Sequence, residues 1–233
     1  MHASGKNASR AGGRRLKAEV RNVLTSMDMD RALDVLYKMP FRRVINPLFS
    51  FLCAGDDLLR WKSVTALGRI TARLADTDME AARVVMRRFM WNLNDESGGI
   101  GWGSPAAMGE TLASHDGLAR EFASILISYA REDGNYLEYE MLHPDLLWGV
   151  ARLVGVRPGL AQDAAFHFLP YLESKNPAVR GLAARILGLL KAREAHGALE
   201  ALIPDRGEFQ MWEGNRFVDR QVGQEAGEAL RRV

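Results

Sequence analysis

Apolar residues recur at three- and four-residue spacings along most of the chain. From Met79, the positions Ala82, Val85, Met86, Phe89, Met90 and Leu93 fall on one helical face, and Arg83, Arg87 and Arg88 fall largely off it. Leu118, Phe122, Ile125, Leu126 and Tyr129 make a second such stripe, and Val179, Leu182, Ala183, Ile186, Leu187 and Leu190 a third. Ser104-Pro105 and Asn176-Pro177 each offer an oxygen acceptor followed by a proline, whose missing N–H costs nothing at the first helical position. No convincing run of strand-like alternation interrupts this pattern, so the sequence predicts an all-α protein.

The helices repeat. "RWKSVTALG" (60–68), "GWGSPAAMG" (101–109), "LWGVARLVG" (147–155) and "RGLAARILG" (180–188) align without gaps. Trp61, Trp102 and Trp148 stand seven residues before Gly68, Gly109 and Gly155, and Gly181 takes that place before Gly188. The glycine anchors are 41, 46 and 33 residues apart, enough each time for two helices and their turns. Each unit is then a helical hairpin that cannot cover its own apolar face and must stack on its neighbours. Small residues near the end of each first helix let the next backbone approach. The three tryptophans are expected at equivalent places in successive units.

"RWKSVTALGRI" and "NPAVRGLAARILGLL" resemble the first-helix pattern of HEAT-like repeats of the type named after phycobilisome lyases. "ALEALIPDRGEFQMWEGNRFVDRQVGQEAGEAL" looks like a further repeat, with a loop or short hairpin before a closing helix. The resemblance covers roughly residues 55 to 233. It implies an alpha-alpha superhelix, a HEAT-like helical-hairpin solenoid of about five to six helical repeats, filling residues 16–233 as a single domain. It also implies a non-enzymatic interaction or scaffold role, with an alkylpurine DNA glycosylase-like or bilin lyase-like enzyme as the alternative.

Composition narrows this picture. The formal net charge is +2 over 233 residues, and the excess sits mainly before residue 22, where Lys6, Arg10, Arg14, Arg15, Lys17 and Arg21 face a single Glu19. Residues 1–15 therefore read as a mobile basic tail, and the body carries no general nucleic-acid signature. Cys53, within "LFSFLCA", is the sole cysteine and reads as a small core residue, leaving no internal disulfide or multi-cysteine zinc site. No apolar run approaches the ~20 residues that span a bilayer, and the basic start lacks an apolar signal core. The expected compartment is the cytoplasm, and no membrane partner is expected.

Two stretches exceed a minimal repeat: "NDESGGIGWG" and "REDGNYLEYEMLHPD" lengthen the joints before two consecutive first helices. Equivalent joints of a solenoid share an edge, so the two insertions should be neighbours. Both are similar to segments of an uncharacterised prokaryotic branch of HEAT-like proteins, a likeness that implies a shared surface. Gly99-Ile100-Gly101-Trp102-Gly103 has neither the spacing nor the preceding strand of a phosphate-binding loop. Its bland role is a joint, with glycines in turns and Trp102 filling space. Its sharper role is in an acidic and aromatic rim over residues 94–103 and 132–143. Asp95, Glu96, Trp102, Glu110, Glu132, Tyr136, Glu138, Tyr139 and Trp148 are its candidate partner-binding residues, with Asp133 and Glu140 adding charge. Carboxylates between aromatic walls suit a basic protein or peptide, or another cationic partner. The histidines are scattered and no Gly-x-Ser-x-Gly elbow occurs. No metal, cofactor or catalytic residue is assigned.

Overall fold

The computed structural model describes residues 3–94 and 101–233, with side chains described from residue 12. The helices are α1 (Ala3–Ser26), α2 (Met29–Leu36), α3 (Phe41–Phe51), α4 (Asp57–Ala75), α5 (Met79–Leu93), α6 (Ser104–Ser114), α7 (Asp116–Ser128), α8 (His143–Val156), α9 (Pro177–Leu190), α10 (His196–Leu202) and α11 (Val222–Leu230). Between α10 and α11 lie strands β1 (Glu208–Glu213) and β2 (Arg216–Gln221). All three apolar stripes emerge as helices, α5, α7 and α9.

An inner row runs α4, α6, α8, α9, α11, each helix packed on the next. The second row is α5 and α7, then 3-10 turns at Pro158–Leu160, Gln162–Phe168 and Pro170–Glu173, then α10. The third unit thus lacks a regular second helix; its prolines punctuate the segment. One hydrophobic core runs unbroken from Val20 in α1 to Ala229 in α11. Buried Lys62 joins the first helices to the row, its Nζ donating to the carbonyls of Leu24 and Met27 at 2.8 and 2.6 Å. These lie at the C-terminal end of α1, where the helix dipole favours a cation.

The glycine anchors work as close-approach points at three of four positions. A Cβ on Gly68 would strike Glu110 of α6, one on Gly109 would strike the Gly149 backbone of α8, and one on Gly188 the Ala229 backbone of α11. Gly155 is the exception: it is exposed, and a Cβ there would meet nothing within 4 Å.

Two tryptophans follow the repeat and one does not. Trp61 of α4 and Trp148 of α8 meet edge to face, ring centroids 4.8 Å apart. Beside Trp148, Gly149 lies against the first turn of α6, where a Cβ would strike the Pro105 carbonyl. Trp102 instead precedes α6, because that helix starts later relative to its anchor, after Gly103 turns the backbone at φ 68°. Gly103, not Ser104, occupies the N-cap position; Asn176 caps α9 as expected, its Oδ1 accepting from the Ala178 N–H at 2.9 Å. Cys53 is exposed, a correction to its reading as core: α3 ends at Phe51, and Cys53 falls in the turn beyond its buried face.

The loop or short hairpin before the closing helix is a two-residue β-hairpin, Glu213 pairing with Arg216 across Gly214 and Asn215. Both turn residues have positive φ, 57° and 63°, the requirement of a type I′ turn. Phe209, Met211 and Trp212 are buried, and the hairpin lies against α9 and α11. Trp212 reaches further. Its carbonyl accepts from Trp148 Nε1 at 2.7 Å, and its own Nε1 donates to Thr65 Oγ1 of α4 at 3.0 Å.

Candidate functional site

The two inserted joints are neighbours. Trp102 packs edge to face on Tyr139 at 6.2 Å, a Cβ on Gly101 would strike Leu142, and Gly103 N–H donates to Asp145 Oδ2 at 2.9 Å. Asp145 also accepts from Arg60 at 3.3 Å. Burial raises the Asp145 pKa, and the Arg60 charge and Gly103 N–H oppose that rise without cancelling it. The seam between the joints is therefore a buried polar clamp.

Not every candidate residue lies on this seam. Asp95 and Glu96 fall outside the described residues. Glu132, Tyr136, Glu138 and Tyr139 are exposed on the second joint, and Trp102 is half-buried beside them. Glu110 and Trp148 are elsewhere. Glu110 is 2% exposed, its carboxylate held by Arg69 and Arg152, so it is not presented to a basic partner. Trp148 is buried in the Trp61–Trp148–Trp212 cluster.

The exposed part of the second joint forms one wall of a cavity of about 740 Å³. Tyr136, Met141 and Phe166 are exposed around it, with Tyr171 buried behind. Glu132, Asp133 and Glu140 supply negative charge against Lys175. Asp133 is paired with Arg131 at 2.8 Å, whereas neither Glu132 nor Glu140 has an ion-pair partner within 4.0 Å among the described residues. Burial raises the Tyr136 pKa, and the charges of Glu132 and Glu140 raise it further. Tyr171 is also raised, first by burial and then by Tyr136; its hydroxyl donates to the Ala130 carbonyl at 3.1 Å. Burial lowers the His167 pKa below 6.5, helped by Arg131 and opposed by Asp133.

His143, the histidine nearest the acids in sequence, is a joint residue. It is buried, its Nε2 lies 2.8 Å from the Leu137 carbonyl, and its ring packs on Tyr136 and Tyr171. Phe166, His167 and Tyr171 were not marked by the sequence reading. They come from the irregular third unit, where no helical period places a residue on a face.

A second cavity, about 330 Å³, lies beneath the hairpin tip, lined by Arg69, Glu110, Trp148, Ala151, Arg152, Gly155, Arg185, Leu189 and residues 211–215. No described helix is long and apolar enough to cross a membrane.

No family model matches the sequence, and no curated protein does. Solved structures do. A designed armadillo repeat protein superposes with a TM-score of 0.53 at 15% identity, covering 94% of this chain and 93% of its own. Two engineered proteins from a structural genomics consortium superpose with TM-scores of 0.53 and 0.51 at 12% and 13% identity. They cover 93% and 94% of this chain and 97% and 96% of their own. At such identities the likeness concerns fold alone, and it agrees with the stacked rows described above: the chain is a helical repeat protein.

Proposed function

We propose that this chain is a non-enzymatic interaction scaffold that binds a basic protein or peptide at the acidic, aromatic cavity of the second joint. The observation that carries this reading is the pair Glu132 and Glu140, two carboxylates without ion-pair partners among the described residues, beside exposed Tyr136, Met141 and Phe166. A lysine or arginine side chain matches both parts, its charge meeting the carboxylates and its stem lying on the rings. The cavity volume suits one or two side chains of an extended segment. Glu138, Tyr139 and Trp102 extend the same rim, and Asp95 and Glu96 belong to this reading by their place in sequence. The HEAT-like type named after phycobilisome lyases, read from "NPAVRGLAARILGLL", and a cytoplasmic location complete the proposal.

The test uses a fluorescein-labelled peptide of alternating arginine and alanine, with a glutamate and alanine peptide as control, and reads anisotropy. The basic peptide should bind and lose affinity as salt rises from about 50 to about 300 mM. The double variant Glu132→Gln, Glu140→Gln should bind roughly tenfold more weakly, at the scale of two charge-assisted contacts. Unchanged binding by that variant, or tighter binding of the acidic peptide, would overturn the proposal.

A further inference from the structure

The charged residues of the inner row form a ladder with one break. Arg69 of α4 donates through Nε to Glu110 of α6 at 3.2 Å, and Arg152 of α8 donates through Nε to the other oxygen of the same carboxylate at 2.7 Å. Further along, Arg185 of α9 donates to Glu225 of α11 and to Glu213 of the hairpin. Arg220 of β2 also bonds Glu213. Burial alone would raise the Glu213 pKa, yet the bonds from Arg185 and Arg220 hold it below the usual glutamate range. Positive and negative therefore alternate across each helix contact except one. Between α8 and α9, Arg152 and Arg185 both line the same cavity with no carboxylate of the row set between them.

The two arginines on the α8 side are also incompletely used. Arg69 and Arg152 each spend only Nε on Glu110; their terminal Nη nitrogens make no hydrogen bond among the described residues, and each side chain is 39% exposed. Arg185, by contrast, has all three nitrogens bonded. Buried Glu110 thus works as a positioning residue, fixing two guanidinium groups side by side with their outer N–H groups available. The Arg152 guanidinium lies over Trp148 at 5.9 Å. The walls of the cavity are Trp148, Trp212, Ala151, Leu189 and Met211, and the hairpin tip residues Gly214 and Asn215 bound it. Its lining includes exposed Gly155, the one anchor glycine on which no neighbour packs.

We infer that the cavity beneath the hairpin is a binding site for a small organic monocarboxylate with a flat apolar body. Arg185 is answered by Glu225 and Glu213, whereas Arg69 and Arg152 share the single carboxylate of Glu110, so one negative charge balances that side of the site. A carboxylate supplies that charge with oxygens that accept from the Arg69 and Arg152 Nη groups in the forked geometry guanidinium favours. Its body replaces water against Trp148 and Trp212. A phosphate dianion would leave a charge excess and has no apolar part to meet the indoles. This site is independent of the acidic cavity at the other end of α8 and stands or falls separately from it.

The full-length protein is titrated with benzoate, inorganic phosphate and benzylammonium, read by calorimetry and by intrinsic tryptophan fluorescence. Benzoate should bind saturably and change the fluorescence, phosphate should bind more weakly, and benzylammonium should not compete with benzoate. Arg152→Gln should weaken benzoate by roughly tenfold, the scale of one lost charge-assisted contact. Because that variant also disturbs Glu110, the deciding variant is Gly155→Leu, which adds bulk at a lining position where a Cβ would meet nothing within 4 Å. It should abolish benzoate binding with the thermal midpoint held or raised. No saturable response to benzoate, phosphate binding more tightly than benzoate, or unchanged affinity in Gly155→Leu would overturn the inference.

Discussion

Glu110 and Glu140 are the same residue type near opposite ends of neighbouring helices, and the fold treats them oppositely. Glu110 is buried where α6 meets α4 and α8, so its charge had to be matched, and two arginines from 41 and 42 residues away match it. Glu140 begins a 3-10 turn at the mouth of the rim cavity, exposed to water, and needs no protein partner. A paired buried acid belongs to the architecture; an unpaired exposed one is free for a partner. The two cavities inherit this difference. The one beneath the hairpin has its acids occupied and its guanidinium edges available, and the rim has its acids available.

The comparison breaks most visibly if the hairpin side proves dispensable for folding. Trp212 is 3% exposed and bonded at both its carbonyl and its indole N–H. Trp212→Ala should destabilise by about 3–5 kcal/mol, as for a large aromatic lost from a core, measured by urea denaturation. A smaller but still large effect is expected at the α6–α8 seam. Gly109→Ala sets a methyl against the Gly149 backbone and should lose about 1–3 kcal/mol. The same substitution at open Gly155 should gain a few tenths to about 1 kcal/mol, since alanine is the better helix former and nothing obstructs it. Equal effects at the two glycines would remove the distinction between closed and open seams.

On the rim side, Glu132→Gln with Glu140→Gln should move stability by less than about 0.5 kcal/mol, the range of surface changes away from special contacts, while weakening the basic peptide. The smallest effect concerns pH. Burial and Arg131 hold the His167 pKa below the ordinary histidine value, so it gains its proton at lower pH than a free imidazole. That proton adds positive charge to a cavity for cations. Anisotropy of the basic peptide should therefore show weaker binding at about pH 5 than at about pH 7.5, and His167→Gln should lose the part of that fall that precedes carboxylate titration.

How much of this was legible follows from which features have a period. Apolar stripes and glycine anchors repeat, so α5, α7, α9 and the approaches at Gly68, Gly109 and Gly188 can be read from the chain. Adjacency of the two joints follows from the same repeat. Trp102 misled because a start of α6 set by the turn at Gly103 shifts the register by part of a helix. Glu110 misled because composition shows an acid beside a glycine but not the arginines one unit before and after it. Arg69, Arg152 and Arg185 had a signal of their own, each standing one residue after or three before an anchor glycine, a regularity that charge totals conceal. The hairpin was only half legible, since six-residue strands leave little room for alternation and Gly-Asn alone marks the turn.

Trp212 also bears on how the chain folds. A stack of repeats touches only its nearest neighbours, so its ends can fray while the middle stays intact. Here an indole N–H from the last unit is bonded to a hydroxyl 147 residues earlier, in α4. That clasp links the stability of the closing units to that of the fourth helix, making unzipping from the C-terminus cost the tryptophan cluster at once. Amide exchange in α9 and α11 should accordingly occur through the same opening event as exchange in α4, and with Trp212 removed the exchange free energies should fan out from the C-terminal end inward.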